Sequence, residues 1–288
     1  MKNILKKIKS KFNQSKIKEK MMQNNFKAPE NPFGPVKDPV WEKIKKENFE
    51  IPDDSPLKKN PFHYTEKISF ELSNFCNYSM YHQKCPAHLQ KELKVLPLSL
   101  IEKTIDTLGK YNFSGKIAFH NYNEPLIDPR LFYILKYTKE KCPNASFYIC
   151  TNGYYLDQTI GEELAAFGVT KIHVSIYFKK ELERLQKIKL PVPCDLQVME
   201  LDDTLNIYSG PIKDCNKKCS APLREVVVSK DGDISLCCYD WAYIYKFGNL
   251  KEKTLDQIVS SGLMYKIYSE LSEGNRFLNI CKNCRWHR

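Results

Sequence analysis

The sequence predicts an α/β protein with a parallel sheet, followed by a small C-terminal domain built from a β-hairpin and helices. Two observations predict this architecture. Short apolar strands alternate with helical segments over residues 67–201, a spacing typical of right-handed βαβ units and a parallel sheet. Four cysteines in the last part of the chain then frame a hairpin and a CxxC sequence, which indicates a separate metal-binding or cluster-binding unit.

The first strand and helix follow from period and capping. Alternating Ile68, Phe70 and Leu72 predict a strand with one buried face, and Ser99 is expected to cap the helix that ends near residue 110. Further strands are predicted over residues 116–120, 146–150, 171–177 and 195–201, and further helices over residues 40–46, 161–167, 180–187 and 255–271. The loops that carry cysteine, carboxylate and small polar residues each follow a predicted strand.

Two dipeptides predict where other elements begin or turn. Asp128 and Pro129 are expected to open the helix after the second strand, because proline suits the first helical turn. Asp231 and Gly232 stand between two apolar runs and predict a tight hairpin, since glycine accepts positive φ. This hairpin would fix the distance between the cysteines on either side of it.

Composition divides the chain into four parts. Residues 1–24 are predicted to form a basic, disordered tail, and residues 25–62 a proline-rich segment that links or wraps. Residues 63–205 are predicted to form the core domain and residues 206–288 the C-terminal cluster domain. About 7 of the 11 excess positive charges lie in the first 20 residues, so the body of the protein is nearly neutral.

This charge distribution bears on partners. A neutral body predicts no nucleic-acid partner, since such a surface needs basic residues clustered on the fold. In the tail, Ile4, Leu5, Ile8 and Phe12 fall on one helical face between lysines, which would allow a weak contact with an anionic membrane surface. Eleven cysteines without a secretory signal predict a cytoplasmic protein whose cysteines are ligands rather than disulfides.

Polar and cysteine residues are predicted to meet at the carboxyl ends of the strands, where parallel α/β folds bind ligands. Cys76 and Cys85 follow the first strand, Glu124 follows the second, the sequence Thr-Asn-Gly ends the third, and Ser175 lies on the fourth. A metal, a carboxylate and small polar groups in one place could hold a cofactor that has an amino-acid portion and a sugar.

The C-terminal cysteines form a second candidate site. Cys219 and Cys237 flank the predicted hairpin, and Cys281 and Cys284 form a CxxC sequence after a gap of 43 residues. Four thiolates suit either zinc or an iron–sulfur cluster. Because protein fills all four positions, an electron-transfer or structural role is expected there.

These motifs resemble those of radical S-adenosylmethionine (SAM) enzymes with a C-terminal SPASM-type extension in its shorter, twitch form. The resemblance covers about residues 65–288 and rests on the cysteine loop, the tripeptide Asn-Glu-Pro at 123–125, the sequence ICTNG and the C-terminal cysteine frame. It implies a partial (β/α)6 TIM-like barrel of the radical SAM type with a small C-terminal iron–sulfur domain. It also implies two [4Fe–4S] clusters and SAM as cofactors. It also implies that Glu124 receives the SAM amino group, with Asn123, Asn152 and Ser175 as further SAM contacts.

The core cysteine loop departs from the family spacing CxxxCxxC. The segment CNYSMYHQKC reads C-x5-H-x2-C, so Cys76, His82 and Cys85 are predicted to ligate the core cluster, with the imidazole in place of a thiolate as in Rieske centres. Other candidates for the third ligand are His88, Met80 and Cys150. Cys219, Cys237, Cys281 and Cys284 are predicted to hold the auxiliary cluster.

The resemblance implies a reaction class. The core cluster would cleave SAM reductively, and the resulting 5′-deoxyadenosyl radical would abstract hydrogen from a substrate. A two-electron oxidation of a sugar-like or aminocyclitol-like alcohol is the main hypothesis, peptide modification is the second, and a non-catalytic zinc or iron–sulfur protein is the third. The expected partners are a small-molecule or peptide substrate and a reductant such as flavodoxin or ferredoxin.

Overall fold

A computed structural model describes residues 37–82, 85–89, 92–201 and 216–284. The predicted tail lies outside these residues. The strands are β1 Lys67–Phe70, β2 Lys116–Ala118, β3 Ser146–Thr151, β4 Val169–Ile176, β5 Cys194–Val198, β6 Glu225–Val228, β7 Asp233–Ser235 and β8 Lys246–Asn249. The helices are α1 Pro39–Ile44, α2 Leu98–Lys110, α3 Leu131–Lys141, α4 Gln158–Ala166, α5 Lys179–Leu185, α6 Ala221–Arg224, α7 Leu255–Val259, α8 Gly262–Ser272 and α9 Asn279–Lys282.

All eight strands form one sheet in the order β5-β4-β3-β2-β1-β6-β7-β8. Strands β1 to β5 pair in parallel, and β6 pairs in parallel with the free side of β1. The parallel strands confirm the predicted α/β fold class and a partial barrel; five of them belong to the βα series of residues 67–201, and the sixth is the first strand of the C-terminal hairpin. In the described part of the chain β5 and β8 are edge strands, so the barrel is open.

The helices cover the sheet with apolar faces. In α2 the buried residues Ile101, Ile105 and Leu108 recur at helical spacing, so one face of the helix packs on the core while the other meets solvent. The predicted cap was wrong: Ser99 lies within α2, and Pro97 holds the N-cap position without a side-chain hydrogen bond. No helix in the described ranges has the length and apolarity needed to cross a membrane.

The helix α3 begins later than predicted. Its first residue is Leu131, because Asp128 caps the preceding turn instead, accepting from the Arg130 backbone N–H at 2.9 Å. The expected tight hairpin is present between β6 and β7, and Gly232 adopts φ +86° there. The strand β8 was not predicted; it extends the hairpin by pairing antiparallel with β7.

The proline-rich segment packs against the C-terminal part of the protein. Trp41 of α1 is 2% exposed, and its ring contacts Tyr245 and Phe247 edge-to-face at centroid distances of 5.5 and 5.8 Å. The backbone at Phe49 comes close to Gly262, and only glycine allows this approach, since a Cβ at residue 262 would stand 1.7 Å from the Phe49 carbonyl oxygen. From residue 37 to residue 62 this segment therefore wraps around the fold.

Candidate functional site

The candidate residues follow strands that end at one edge of the sheet. Strands β1 to β4 are parallel, so the loops that carry Cys76, Glu124 and Asn152 emerge side by side. Direct contacts join them, because the Asn152 backbone N–H donates to Glu124 Oε2 at 2.7 Å and its side-chain Nδ2 lies 3.7 Å from Cys76 Sγ. We call this edge the mouth of the barrel.

A short backbone pairing closes the cysteine loop at its base. Ser73 and Val95 form an isolated antiparallel bridge. Beside it, Asn74 Nδ2 donates to the Glu92 carbonyl at 2.5 Å, and Asn74 Oδ1 accepts from the Lys94 backbone N–H at 2.9 Å. The two ends of the loop therefore leave the sheet together.

The Arg130 guanidinium fixes the same base from the neighbouring loop. It donates to the Leu96 carbonyl at 2.7 Å and to the Leu72 carbonyl at 3.1 Å, while it is paired with Asp128 at 2.7 Å. A planar fork with several donors suits such a clamp. No local sequence pattern indicated this clamp, because its partners are up to 58 residues apart.

The two cysteines of this loop are held in a desolvated environment. Burial raises the pKa of Cys76 to about 12, and the nearby Glu124 charge adds to the shift. Burial raises the pKa of Cys85 to about 11. Two N–H groups point at Cys76 Sγ, from the Tyr78 backbone at 3.4 Å and from Asn152 Nδ2 at 3.7 Å. Such donors favour a thiolate, as the ligand of a cluster must be.

His82 lies on a turn between the two cysteines. Its backbone N–H donates to the Tyr78 carbonyl at 2.8 Å, and its carbonyl accepts from the Cys85 N–H at 3.0 Å. The imidazole ring packs 5.3 Å from the Tyr177 ring. Burial raises the pKa of Tyr177, and Cys85 and Cys76 add to that shift, so Tyr177 is a neighbour of both cysteines and of His82.

The other candidates for a third ligand have different surroundings. The His88 ring hydrogen-bonds through Nδ1 with the Ser79 carbonyl at 3.0 Å, and Met80 is 46% exposed. The Cys150 backbone N–H donates to His120 Nδ1 at 3.2 Å inside the barrel. Burial lowers the pKa of His120 to about 3, so this imidazole is neutral. The assignment of His82 stays a prediction, and its position beside Tyr177 supports it.

Glu124 ties its loop to the loop after β3. The side chain is 3% exposed, and its carboxylate accepts from Thr151 Oγ1 and the Asn152 N–H at 2.7 Å each and from the Leu126 N–H at 3.0 Å. Burial raises the pKa of Glu124 to about 7, although these hydrogen bonds oppose the shift. A carboxylate offers roughly four acceptor sites, so these donors leave room for a ligand ammonium group.

Asn152 connects three loops of the mouth. Beyond its contacts with Glu124 and Cys76, its Nδ2 donates to Asn77 Oδ1 at 2.8 Å, and its Oδ1 accepts from the Tyr154 N–H at 3.0 Å. Gly153 follows with φ +74°, a conformation that glycine adopts without strain. The Thr-Asn-Gly sequence therefore forms the tight turn on which the Glu124 carboxylate rests.

The two remaining predicted SAM contacts are engaged locally. Asn123 Oδ1 accepts from the Asn121 N–H at 3.0 Å, and Asn123 Nδ2 donates to the Phe119 carbonyl at 3.3 Å, so this side chain shapes its own loop. Ser175 lies near the hydroxyl of Tyr177, the residue just beyond β4, and lowers its pKa against the effect of burial. Tyr177 was not among the predicted site residues. Its position two residues beyond Ser175 was the available signal, because alternate strand residues share a face.

The C-terminal cysteines come from three segments that converge. Cys219 precedes α6, Cys237 follows β7, and Cys281 and Cys284 lie in and just after α9. Burial raises the pKa of Cys281, and Cys219 and Cys284 add to the shift. Burial also raises the pKa of Cys237, with Cys238 and Cys281 contributing. Among the described residues, no three His, Cys, Asp or Glu side chains are grouped around the position of a single metal ion.

Long-range hydrogen bonds hold these segments together. The Cys219 N–H donates to the Leu271 carbonyl of α8 at 2.7 Å. Arg276, which is 5% exposed, donates through Nε to the Lys217 carbonyl at 2.6 Å and through a terminal nitrogen to the Cys281 carbonyl at 3.4 Å. Arg276 thus joins the segment of Cys219 to the CxxC segment, and its charge lowers the pKa of Cys281 against the effect of burial.

The wrapping segment also reaches this site. Asp38 is 1% exposed, and its Oδ2 accepts from the Asn279 N–H and from the Tyr245 hydroxyl at 2.9 Å each. Asn279 is the first residue of α9, which carries Cys281. A carboxylate from the N-terminal side of the chain therefore orients the helix of a predicted ligand.

Two further cysteines lie close to these ligands in the sequence. Cys238 follows β7, which ends at Ser235, and Cys219 and Cys284 are among the charges that raise the pKa of Cys238. Cys238 therefore lies near the auxiliary cysteines. Cys215, a further candidate thiol, lies outside the described residues.

The donor sets at both sites fit iron–sulfur clusters. The ten described cysteines are free thiols, and six of them are the predicted ligands. Buried thiolates need compensating positive charge, which a cluster supplies, and hydrogen bonds to sulfur are the usual surroundings of cluster thiolates. Hydrogen-bond donors reach the sulfur of Cys76, and the positive charge of Arg276 lies near Cys281.

Comparisons with known proteins bear on both sites. Residues 219–285 match the model of the family SPASM, an iron–sulfur cluster-binding domain. Over 229 residues the chain is 25% identical to an S-adenosyl-L-methionine-dependent 2-deoxy-scyllo-inosamine dehydrogenase of Niallia circulans, a match that covers 75% of this chain and 91% of that protein.

Solved structures share the fold. BtrN in complex with AdoMet and 2-DOIA is similar with a TM-score of 0.67 and 24% identity, over 77% of this chain and 93% of BtrN. Native anSMEcpe with bound AdoMet is similar with a TM-score of 0.50 and 12% identity, over 76% of this chain and 86% of that one. Together these findings confirm the predicted resemblance to radical SAM enzymes with a SPASM-type domain.

Proposed function

We propose that this chain, which has the radical SAM fold with a C-terminal SPASM-type domain, oxidises an alcohol group of a small polyhydroxylated or amino-substituted ring. One observation carries the proposal. A loop with Cys76, His82 and Cys85 meets the Glu124 loop at the mouth, and the hairpin that leads to Cys237 begins with β6, which pairs with β1. A radical generator and an electron acceptor would thus share one sheet.

The proposal assigns roles to the residues of the mouth. Cys76, His82 and Cys85 would hold three irons of a [4Fe–4S] cluster and leave the fourth for SAM. When bound, this cluster and SAM supply a radical that removes a hydrogen atom from the substrate, and the auxiliary cluster supplies an acceptor for one electron. Glu124 would accept hydrogen bonds from the SAM ammonium group, and Asn152, which contacts both residues, would hold that carboxylate close to Cys76.

The remaining site residues are proposed to act either through their neighbours at the mouth or at the auxiliary cluster. Asn123 would shape the loop that carries Glu124, and Ser175 would orient Tyr177 beneath the bound SAM. The proposed ligands of the auxiliary [4Fe–4S] cluster are Cys219, Cys237, Cys281 and Cys284. With four protein ligands, that cluster would exchange electrons without binding substrate directly.

The substrate class follows from the relative with a named activity. That protein is a 2-deoxy-scyllo-inosamine dehydrogenase, and this chain spans 91% of its length. Removal of one hydrogen atom, one electron and one hydroxyl proton converts an alcohol to a ketone, which balances a two-electron oxidation. We therefore propose a ring alcohol of the aminocyclitol type as substrate and oxidoreductase as the enzyme class.

A peptide substrate is the second candidate. The fold is also similar to native anSMEcpe with bound AdoMet and the Cp18Cys peptide, at a TM-score of 0.50 and 13% identity. This likeness shows the fold alone, so the small-molecule reading takes precedence.

Further partners follow from the chemistry. Reductive SAM cleavage needs one electron from outside, and we propose a flavodoxin or ferredoxin as its source. The cysteine-rich sequence favours a cytoplasmic setting, where ligand thiols stay reduced. The basic tail would add a weak contact with an anionic membrane surface.

The test begins with anaerobic reconstitution of the full chain. We expect brown protein with about eight irons, following the ligand requirement of two cuboidal clusters. With dithionite and SAM it should form 5′-deoxyadenosine, and with 2-deoxy-scyllo-inosamine as probe it should form one ketone for each 5′-deoxyadenosine. Tightly bound zinc in place of iron would contradict the proposal, and SAM cleavage that only a peptide stimulates would favour the second candidate.

A further inference from the structure

A buried group of charged and polar side chains lies at the mouth beside the residues of the proposed function. Glu71 directly follows β1 and Lys230 follows β6, so both stand at the carboxyl ends of neighbouring parallel strands. Their side chains are 2% and 5% exposed, and Lys230 Nζ lies 3.6 Å from Glu71 Oε2. The same oxygen accepts from the Lys230 backbone N–H at 3.1 Å.

Tyr243 of the SPASM domain completes this ion pair. Its hydroxyl donates to Glu71 Oε2 at 2.6 Å, and its ring lies under Lys230 Nζ at 4.6 Å from the centroid. Tyr243 has φ +52°, a left-handed conformation that is uncommon for a residue with a bulky side chain. The protein therefore buries two charges and accepts a strained tyrosine at one place.

The buried ion pair and the strained tyrosine both lower the stability of the folded protein. Moving an ion pair out of water costs more than its attraction returns unless further hydrogen bonds complete it, and apolar residues of similar volume are often as stable or more stable. Backbone strain of this kind persists where surrounding contacts enforce it, and it concentrates at functional positions. Stability alone is a poor reason for this arrangement, which points to a positioning role.

The group reaches from the SPASM domain to the proposed SAM loop. Asn121 Nδ2 donates to the Tyr243 hydroxyl at 3.0 Å, and the Asn121 N–H is bound by Asn123, next to Glu124. A second link runs in parallel, because the Tyr122 hydroxyl donates to the Cys238 carbonyl, one residue after the predicted ligand Cys237.

The electrostatics place these links between the two cysteine sites. Burial raises the pKa of Tyr122, and the charges that add to this shift include Cys238, Tyr243, Cys237 and also Cys85 of the core loop. Burial is the main cause of the raised pKa of Cys85, and the charge of Glu71 adds to it. One set of side chains therefore neighbours both sites.

We propose that Tyr243, Asn121 and the Glu71–Lys230 pair form a bridge that couples the SAM loop to the loop of Cys237. In this role they are positioning residues: they set the auxiliary cluster loop against bound SAM and transmit SAM binding to it. The inference rests on the proposed function, because it presumes that SAM binds at the Glu124 loop.

Hydrogen exchange of the reconstituted holoprotein, with and without SAM, tests the coupling. In the wild-type protein SAM should slow exchange in peptides covering residues 119–126 and also residues 237–245. In Tyr243→Phe, which keeps the ring over Lys230 but removes both hydrogen bonds of the hydroxyl, SAM should still protect residues 119–126. The protection of residues 237–245 should fall by about fivefold or more, the lower end of typical coupling between sites.

Two controls keep the result interpretable. Tyr137→Phe removes a tyrosine–carboxylate hydrogen bond of 2.8 Å to Asp106 on an exposed helix surface, and it should leave both peptides as in wild type. If Tyr243→Phe fails to fold, Asn121→Ala breaks the bridge from the other side and should give the same uncoupling. A shift of the auxiliary cluster's reduction potential on SAM addition, present in wild type and lost in the variant, is the second readout.

The outcomes separate the bridge from the proposed function. SAM protection of residues 237–245 that is equal in wild type and Tyr243→Phe overturns the bridge, as does protection confined to residues 119–126 in wild type. Protein that binds no iron, or SAM that alters neither peptide, overturns the proposed function instead.

Discussion

The two cysteine sites are built in opposite ways. The predicted core ligands Cys76, His82 and Cys85 lie within ten residues on one loop, which a backbone bridge at Ser73 and Val95 closes. The auxiliary cysteines span residues 219–284 and meet only because α8, α9 and the wrapping segment hold them together. The core site is thus local in sequence, and the auxiliary site is a product of tertiary structure.

The difference matches what each site is proposed to do. A loop that supplies three ligands can leave one iron open to the neighbouring loops, where Glu124 and Asn152 stand. Four ligands from three segments would enclose the proposed auxiliary cluster, and the charge of Arg276, which stands beside Cys281, would contribute to its electrostatics. The predictions below test this contrast, beginning with the largest expected effect.

Removing the auxiliary ligands should separate the sites completely. Changing Cys219, Cys237, Cys281 and Cys284 to Ala should remove about half of roughly eight irons, since each cuboidal cluster holds about four. The variant should still cleave SAM but should release no oxidised product. Iron assay and chromatography of 5′-deoxyadenosine measure both effects. Loss of SAM cleavage in a quadruple variant that still folds and still binds iron would show that the two sites are not independent.

The core site should depend on a nitrogen ligand. His82→Ala should abolish 5′-deoxyadenosine formation and keep the auxiliary cluster, whereas His82→Cys should restore a core cluster at lower potential because thiolate adds negative charge. Pulsed electron resonance on the reduced, SAM-free protein should show nitrogen coupling. His88→Ala is the matched control. Full activity of His82→Ala without nitrogen coupling in the wild type would move the ligand to His88 or Cys150.

Substitution of the mouth carboxylate should weaken SAM binding without removing clusters. A hydrogen bond to a charged group contributes about 1.5–3 kcal/mol, so Glu124→Ala should weaken SAM binding by about 10- to 150-fold. Thr151→Val removes one donor to the same carboxylate and serves as control, with a smaller loss. Calorimetry on reconstituted protein gives both affinities. Unchanged affinity in Glu124→Ala would mean that this carboxylate only joins the two loops and does not contact SAM.

The mildest effect should be a pH dependence of SAM binding. The pKa of Glu124 is raised from 4.5 to about 7, so below pH 7 the carboxyl group is largely protonated before SAM binds. An incoming ammonium group favours the ionised form, so SAM binding at pH 6 should release a proton and should strengthen as pH rises through about 7. Calorimetry in buffers of different ionisation enthalpy detects this proton, which Glu124→Gln should not release.

Part of this protein could be predicted from local pattern. Alternating apolar residues predicted β1 to β5, and the Asp231-Gly232 pair predicted the hairpin, because both features depend on neighbours within a few residues. The cysteine spacings predicted two cluster sites for the same reason, and the SPASM match at residues 219–285 agrees with the second.

Tertiary structure decided the rest. The pairing of β6 with β1, the Arg276 clamp and the Asp38 contact with Asn279 join residues 59 to 241 positions apart. Helix starts were misplaced by up to three residues. At α3 the Asp128 side chain forms a turn with Arg130, whose guanidinium binds the distant Leu72 and Leu96 carbonyls. Sequence determined which short segments become strands, turns and ligand pairs, because those depend on local backbone preference and side-chain period. Which segments meet, and which buried charges join them, depends on how the whole sheet packs, and no local pattern records that.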